Sequence, residues 1–144
     1  MISSFGHYIK TGKVKKKTPD PEEGKALLNQ AQDRLEYIKG KEITAKTAKF
    51  VFEDAYEAVR EAAQALMSRE GYKPYSHEAT ISFVKEFHSK DFTPEEIEEF
   101  DHLRELRHDS VYRAAQVLPE DAKDCIAFAK RFVKKASEIK INLF

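Results

Sequence analysis

Apolar side chains recur at helical spacing along most of this 144-residue chain, and the recurring runs are bounded by residues typical of helix ends. The clearest start is Thr93-Pro94-Glu95-Glu96, which has the form of a capping box with proline in the first helical position. No segment shows the alternation expected of a strand, and residues 72–75 are interpreted as a turn. The pattern predicts an all-α fold, an antiparallel up-and-down bundle of four or five helices. The expected helices run from Pro21 to Gly40, from Thr44 or Thr47 to Gly71, after Ser76, from Pro94 to about Val117, and from Pro119.

The N-terminal segment does not follow this pattern. Glycines and prolines interrupt residues 1–23, and five lysines cluster within them, at positions 10, 13, 15, 16 and 17. We therefore divide the chain into a lysine-rich arm, residues 1–23, and a helical bundle, residues 24–144. The arm is either loose or laid across the bundle. Its lysines form either an ordinary solvated surface or an electrostatic hook for RNA phosphates or an acidic partner.

Charge is balanced over the whole chain but not along it. Lys and Arg number 25, as do Asp and Glu, so the formal net charge is zero. This balance argues against a generally basic nucleic-acid binder. Residues 1–18, however, contain five lysines and no acid, which leaves 20 positive against 25 negative residues in the remainder. A local cationic site is therefore compatible with the balanced total.

Cysteine content and hydropathy exclude several other classes of protein. The single Cys125 excludes an internal disulfide framework and a cysteine-based zinc cluster, and its helical spacing predicts a small buried apolar residue. No apolar stretch approaches the roughly 18 residues of a membrane span, and the N-terminus lacks the pattern of a secretory signal. We expect a soluble cytoplasmic protein without a membrane association.

The helix that begins at Pro94 has an arginine on its apolar face. At about 100° per residue, Arg107 lies in the middle of a face formed by Ile97, Phe100, Leu103, Val111, Ala114 and Leu118. A guanidinium keeps its charge, and burying it unpaired costs several kcal/mol. Arg107 is therefore expected either to pair with a carboxylate or to bind an anion, unless a helix break turns it outward. Candidate carboxylates are Glu53, Asp54 and Glu57.

Neighbouring side chains on this helix have the chemistry of a phosphate site. Arg104, His108 and Tyr112 follow at i, i+4 and i+8 and should line one stripe. Arginine binds phosphate in a bidentate manner, histidine takes a proton near neutral pH, and tyrosine stacks on bases. Acids early and bases late in the helix also complement its dipole, which is an alternative explanation of the gradient. The predicted phosphate ligands are Arg104, Arg107 and Arg113, and the candidate catalytic residues are Arg107, His108 and Tyr112.

The other histidines offer weaker signals. His77 directly follows the predicted cap Ser76, and we expect it to have a capping or packing role. His7, His88 and His102 show no metal-ligand spacing, so neither a metal nor a cofactor is expected.

The stretch LRELRHDSVY, residues 103–112, resembles the signature of HEPN domains, which are small helical bundles of prokaryotes. The resemblance extends to PDPEEGKALLNQAQDRLEYI, to YEAVREAAQALMSREGYKPYSHEATISFVKEF and to AKDCIAFAKRFVKKASEI. The family motif is Arg, four to six residues, then His. Arg107 matches the motif arginine, while Tyr112 occupies the histidine position and gives R-x4-Y, as in some subgroups of the family.

The resemblance implies a homodimer whose motif helices face each other across a cleft. In members with the full motif it implies metal-independent RNA cleavage, in which Arg holds the phosphate and His helps to activate the 2′-hydroxyl. Other members pair with a small nucleotidyltransferase in toxin–antitoxin modules, and some only bind nucleotides. Tyr112 is a poor base at neutral pH, since the reference pKa of tyrosine is about 10, and His108 is the alternative base.

The resulting hypothesis is a HEPN-type homodimer that binds nucleotide or RNA phosphate through Arg107. It would belong to a toxin–antitoxin or nucleotidyltransferase-associated module. The alternative is a non-catalytic protein-interaction module in which the Arg107 cluster is a structural ion-pair network.

Overall fold

A computed structural model describes residues 2–139, which form an all-α bundle of six helices with one small two-stranded sheet. The predicted all-α fold is confirmed, with one helix more than expected in this part of the chain. None of these helices has both the length and the apolar character needed to cross a membrane. The order is α1 (Phe5–Lys10), β1 (Val14–Lys16), α2 (Pro21–Ile38), α3 (Ala48–Glu70), β2 (Tyr72–Pro74), α4 (His77–Phe87), α5 (Pro94–Arg113) and α6 (Pro119–Glu138).

Local chemistry at the helix ends explains most of these boundaries. The Asp20 carboxylate accepts from the Glu23 amide at the start of α2, and the Ser76 hydroxyl accepts from the Ala79 amide at the start of α4. Thr93 and Glu96 form the predicted capping box of α5. Helix α3 ends at Gly71, whose φ of 92° is accessible because glycine has no Cβ.

Helix α5 is shorter than predicted. It ends at Arg113 rather than near Val117, because Ala114 adopts a left-handed conformation with φ of 53°. The amides of Ala114 and Ala115 both donate to the Asp109 carbonyl, which closes the last turn. Alanine is an uncommon residue for this conformation, so the sequence carries no glycine that would have marked the end.

Helix α3 lies at the centre of the bundle and contacts α2, α4, α5 and α6. Its side chains supply much of the core, including fully buried Phe52, Tyr56 and Leu66. Helical spacing in the sequence predicts core positions for five phenylalanines, namely Phe50, Phe52, Phe83, Phe87 and Phe132. Phe52, Phe83 and Phe132 are buried, whereas Phe50 and Phe87 are 60% and 46% exposed, so the prediction is wrong for these two. The central position of α3 places Tyr56 beneath the surface between α4 and α5.

The N-terminal segment is laid across the bundle, which decides between the two alternatives left open for it. Phe5, Tyr8 and Val14 are buried in the same core as the helices. Strand β1 pairs with β2 in antiparallel register, with Lys15 opposite Lys73. The prediction of a chain without strands, with a turn at residues 72–75, is therefore wrong. Strands of three residues are too short to show alternation, and their stabilising partner is distant in sequence.

Candidate functional site

An open cavity of about 260 Å³ lies between the start of α4 and the second half of α5. We call it the α4–α5 cavity. Helix α5 lines this cavity with the predicted stripe of Arg104, His108 and Tyr112 and with Arg107. Helix α4 contributes residues from its start, and these are Ser76, His77 and Glu78.

Arg107 is half-buried, and its guanidinium carbon lies 5.9 Å from the centre of the Tyr56 ring. This is the geometry of a cation–π contact. Within residues 2–139, no carboxylate oxygen lies within 4.0 Å of the Arg107 guanidinium. The charge is thus held against an aromatic face without an ion pair within 4.0 Å in the described chain, and Arg107 acts on the Glu57 carboxylate only at longer range, where it helps to lower the pKa of Glu57.

The predicted ion-pair partners of Arg107 are wrong. Asp54 pairs with Arg34 at 3.0 Å, and Glu57 pairs with Arg60 one turn away on α3. Glu53 is exposed and forms no ion pair in the described part of the chain. Two of these three acids are thus paired with arginines of α2 and α3 instead of with Arg107.

The buried part of the apolar face predicted for α5 ends before Arg107. Leu103 is the last buried residue of this helix, and Val111 and Leu118 are 44% and 46% exposed. Because α5 passes beyond the core, Arg107 stays in contact with solvent and does not require a buried carboxylate.

The arginine with carboxylate partners is Arg104. Its guanidinium lies 2.7 Å from Asp101, 3.6 Å from Glu105 and 4.0 Å from Glu78. Arg113 lies outside the α4–α5 cavity, with a side chain that is 75% exposed and 4.0 Å from Asp109. The three arginines predicted to bind phosphate therefore differ in environment, and among them Arg107 lacks a carboxylate within 4.0 Å in residues 2–139.

His77 also lines the cavity, although the sequence predicted only a capping or packing role for it. Its Nδ1 lies 2.8 Å from the Tyr56 hydroxyl, and the two rings are stacked with centres 5.7 Å apart. Burial raises the pKa of Tyr56, and this effect outweighs the nearby arginine charges that lower it. The hydroxyl therefore keeps its proton, and we assign it as the donor to Nδ1.

The same surroundings control the charge of His77. Burial lowers its pKa, and the positive charges of Arg107 and Arg60 lower it further. His77 is consequently neutral at pH 7, and with Nδ1 accepting from Tyr56 its own proton resides on Nε2. The ring keeps one N–H donor for a ligand.

His108 and Tyr112 complete the α4–α5 cavity from the end of α5. Their ring centres are 4.8 Å apart and both side chains are exposed, Tyr112 by 70%. The α4–α5 cavity thus combines the Arg107 guanidinium with the imidazoles of His77 and His108 and the phenol of Tyr112. These hydrogen-bond donors suit an anionic, oxygen-rich group.

A second cavity adjoins the first at His77. It has a volume of about 250 Å³ and shares Ser76 and His77 with the α4–α5 cavity. Its other lining residues come from α3, from β2 and the residue that follows it, and from α4, and they are Arg60, Gln64, Pro74, Tyr75 and Thr80. We call it the α3–β2 cavity.

In residues 2–139, no three His, Cys, Asp or Glu side chains are grouped so that they could hold a metal ion. Cys125 is buried, and burial raises the pKa of its thiol. It lies in the core, as its spacing predicted.

Comparison with known families identifies the chain. The model of a family described as HEPN domain matches residues 25–139, which include every residue that lines the two cavities. The chain belongs to the HEPN family. In this HEPN chain the matched region extends from the second turn of α2 to the residue after α6. No curated protein and no solved structure matches it significantly.

Proposed function

We propose that this HEPN protein binds the phosphate of a nucleotide or of RNA in the α4–α5 cavity. The proposal depends on Arg107, a half-buried cation that contacts Tyr56 and has no carboxylate within 4.0 Å in residues 2–139. A guanidinium in such a place is best satisfied by an external anion, and arginine binds phosphate with two parallel hydrogen bonds. His77 and His108 line the same cavity and add imidazole donors.

The proposal includes a homodimer in which two α5 helices face a common cleft. Apolar side chains are exposed where α5 ends and α6 begins, namely Val111, Tyr112 and Leu118 at 44%, 70% and 46%. Pairing these surfaces would remove them from water and bring two Arg107 side chains toward one ligand.

We also propose that the protein belongs to a toxin–antitoxin module with a small nucleotidyltransferase. Co-purification of the two proteins tests this pairing.

The binding proposal is tested by calorimetric titration of the purified protein with adenosine monophosphate. Arg107→Ala should weaken binding by about ten- to a hundredfold, as expected for loss of a hydrogen bond between charged groups. The matched control is Arg113→Ala, which removes the same charge from the same helix outside the cavity. It should bind like the unmodified chain.

Two results would contradict this function. One is equal binding by the Arg107→Ala variant and the Arg113→Ala control. The other is an Arg107→Ala variant that fails to fold or dimerise without ligand, which would favour the structural role of the interaction-module hypothesis. We expect a folded variant, since the cation–π contact at an accessible site contributes only about 0.5–1 kcal/mol.

Ribonuclease activity is the second candidate function, favoured by the two histidines that flank Arg107. Metal-independent cleavage needs a cation at the phosphate and an imidazole that accepts the proton of the 2′-hydroxyl. Incubation of RNA with the purified protein should produce fragments that are lost with Arg107→Ala. Absence of fragments, or equal cleavage by both proteins, would refute this activity and leave phosphate binding as the function.

A further inference from the structure

The surface beyond the α3–β2 cavity carries an aromatic side chain close to two cations. Tyr75 lines that cavity and is 52% exposed. The amino groups of Lys15 and Lys73, paired across the β1–β2 ribbon, lie 5.4 Å and 5.6 Å from the centre of its ring. Both lysines are exposed and lack a carboxylate within 4.0 Å in the described chain.

This ribbon is continuous with the proposed phosphate site. Tyr75 lines the α3–β2 cavity, and His77, two residues later, lines both cavities. The two cavities share Ser76 and His77, and two residues span at most about 7 Å, so Tyr75 lies close to the α4–α5 cavity. A ligand that occupies the α4–α5 cavity and extends past His77 therefore meets Tyr75 and the two lysines.

We infer that the β1–β2 ribbon binds single-stranded RNA that extends from the phosphate held at Arg107. Lys15 and Lys73 contact backbone phosphates, and the half-exposed ring of Tyr75 stacks on an unpaired base. This inference rests on the proposed function and specifies its substrate as a polynucleotide. An acidic protein would be satisfied by the lysines alone, whereas an aromatic ring flanked by cations beside a cavity matches the chemistry of nucleotides.

The experiment compares a labelled single-stranded oligonucleotide of about ten nucleotides, a typical site size for single-strand-binding modules, with adenosine monophosphate. The variants are Lys15→Gln/Lys73→Gln and Tyr75→Ala. The matched control, Lys123→Gln/Lys134→Gln, removes two exposed lysines of α6 that line neither cavity. Binding of the oligonucleotide is measured by fluorescence anisotropy over a range of salt concentrations.

The lysine pair should lower the slope of log affinity against log salt by about 1.4, since each phosphate contact on a single strand contributes about 0.7. Tyr75→Ala should weaken oligonucleotide binding by about tenfold through lost stacking. Neither change should alter binding of adenosine monophosphate, and the control pair should alter neither ligand's affinity.

The outcomes separate this inference from the function on which it rests. If Arg107→Ala loses both ligands while the ribbon variants equal the control, the phosphate site stands and the RNA path is refuted. If the ribbon variants lose the oligonucleotide but Arg107→Ala binds normally, the proposed function fails and the ribbon is a separate site. If polyglutamate competes for the ribbon as well as the oligonucleotide does, an acidic protein partner replaces RNA.

Discussion

A buried carboxylate on α3 provides a test of the interactions that join α2 to α3. Glu61 is 1% exposed and accepts two hydrogen bonds from Arg34 of α2, at 2.9 Å from Nε and 3.2 Å from Nη2. Gln30 of α2 contacts the same carboxylate. Arg34 also reaches Asp54 at 3.0 Å, so one guanidinium serves two acids of α3.

Replacing Arg34 by methionine keeps an apolar side chain over α3 but leaves the Glu61 charge with only an amide as partner. Removing one member of a buried ion pair costs about 3–5 kcal/mol. Native domains have about 5–15 kcal/mol of stability in total, so this one change should remove a large fraction of it. Asp54 contributes little to the loss, since its side chain is 35% exposed and water replaces the guanidinium.

Urea denaturation followed by circular dichroism measures the loss as a lower transition midpoint. The double variant Arg34→Met/Glu61→Leu removes both charges, and apolar replacement of a buried ion pair is often neutral or stabilising. It should therefore recover most of the lost stability. A cost below about 1 kcal/mol for Arg34→Met would refute the reasoning, as would a double variant no more stable than the single one.

Three further predictions follow from individual residues. The pKa of His77 is lowered on folding by burial and by nearby arginines. The stability of the protein should therefore be highest above about pH 6.5 and fall as the pH decreases, as measured by urea midpoints. His77→Gln should reduce this dependence of stability on pH. Gly24→Ala should destabilise by about 1 kcal/mol despite better helix propensity, since a Cβ would overlap Arg69 Cγ and lie 2.9 Å from the Ala65 carbonyl. Cys125 should react slowly with a thiol reagent until urea unfolds the chain, because burial raises its pKa.

Each of these three predictions has a result that would contradict it. An identical pH profile for His77→Gln would mean that His77 titrates alike in the folded and unfolded chain. A more stable Gly24→Ala variant would mean that α2 and α3 are not in close contact at that point. Rapid reaction of Cys125 in the native protein, at the rate seen in urea, would contradict its burial.

The elements that the sequence predicted correctly are those whose signals are local. Thr93, Ser76 and Gly71 act through hydrogen bonds or conformations within a few residues, so their positions in the chain determine the helix ends. The β1–β2 ribbon depends on pairing between residues far apart in sequence, and no local pattern indicates it. The end of α5 depends on Ala114 in a conformation that alanine rarely adopts.

The candidate site shows the same division. Helical spacing was sufficient to place Arg104, His108 and Tyr112 on one stripe. It was not sufficient to find Tyr56 and His77, whose hydrogen bond joins two helices that only the fold brings together. The environment of Arg107 also required the fold, because the apolar face of α5 extends beyond the core that it packs against.

The position of Phe5 changes what counts as the cooperative folding unit of this HEPN domain. Its ring lies 5.1–5.8 Å from those of Tyr72, Phe83 and Phe87, so the segment before the family match completes an aromatic cluster on α4 and β2. A chain restricted to the matched residues 25–139 would expose that cluster and lose the partner strand of β2. We therefore expect the cooperative folding unit to extend beyond the family-matched residues 25–139, because α1 and β1 pack against β2 and against α4, the helix that begins at His77.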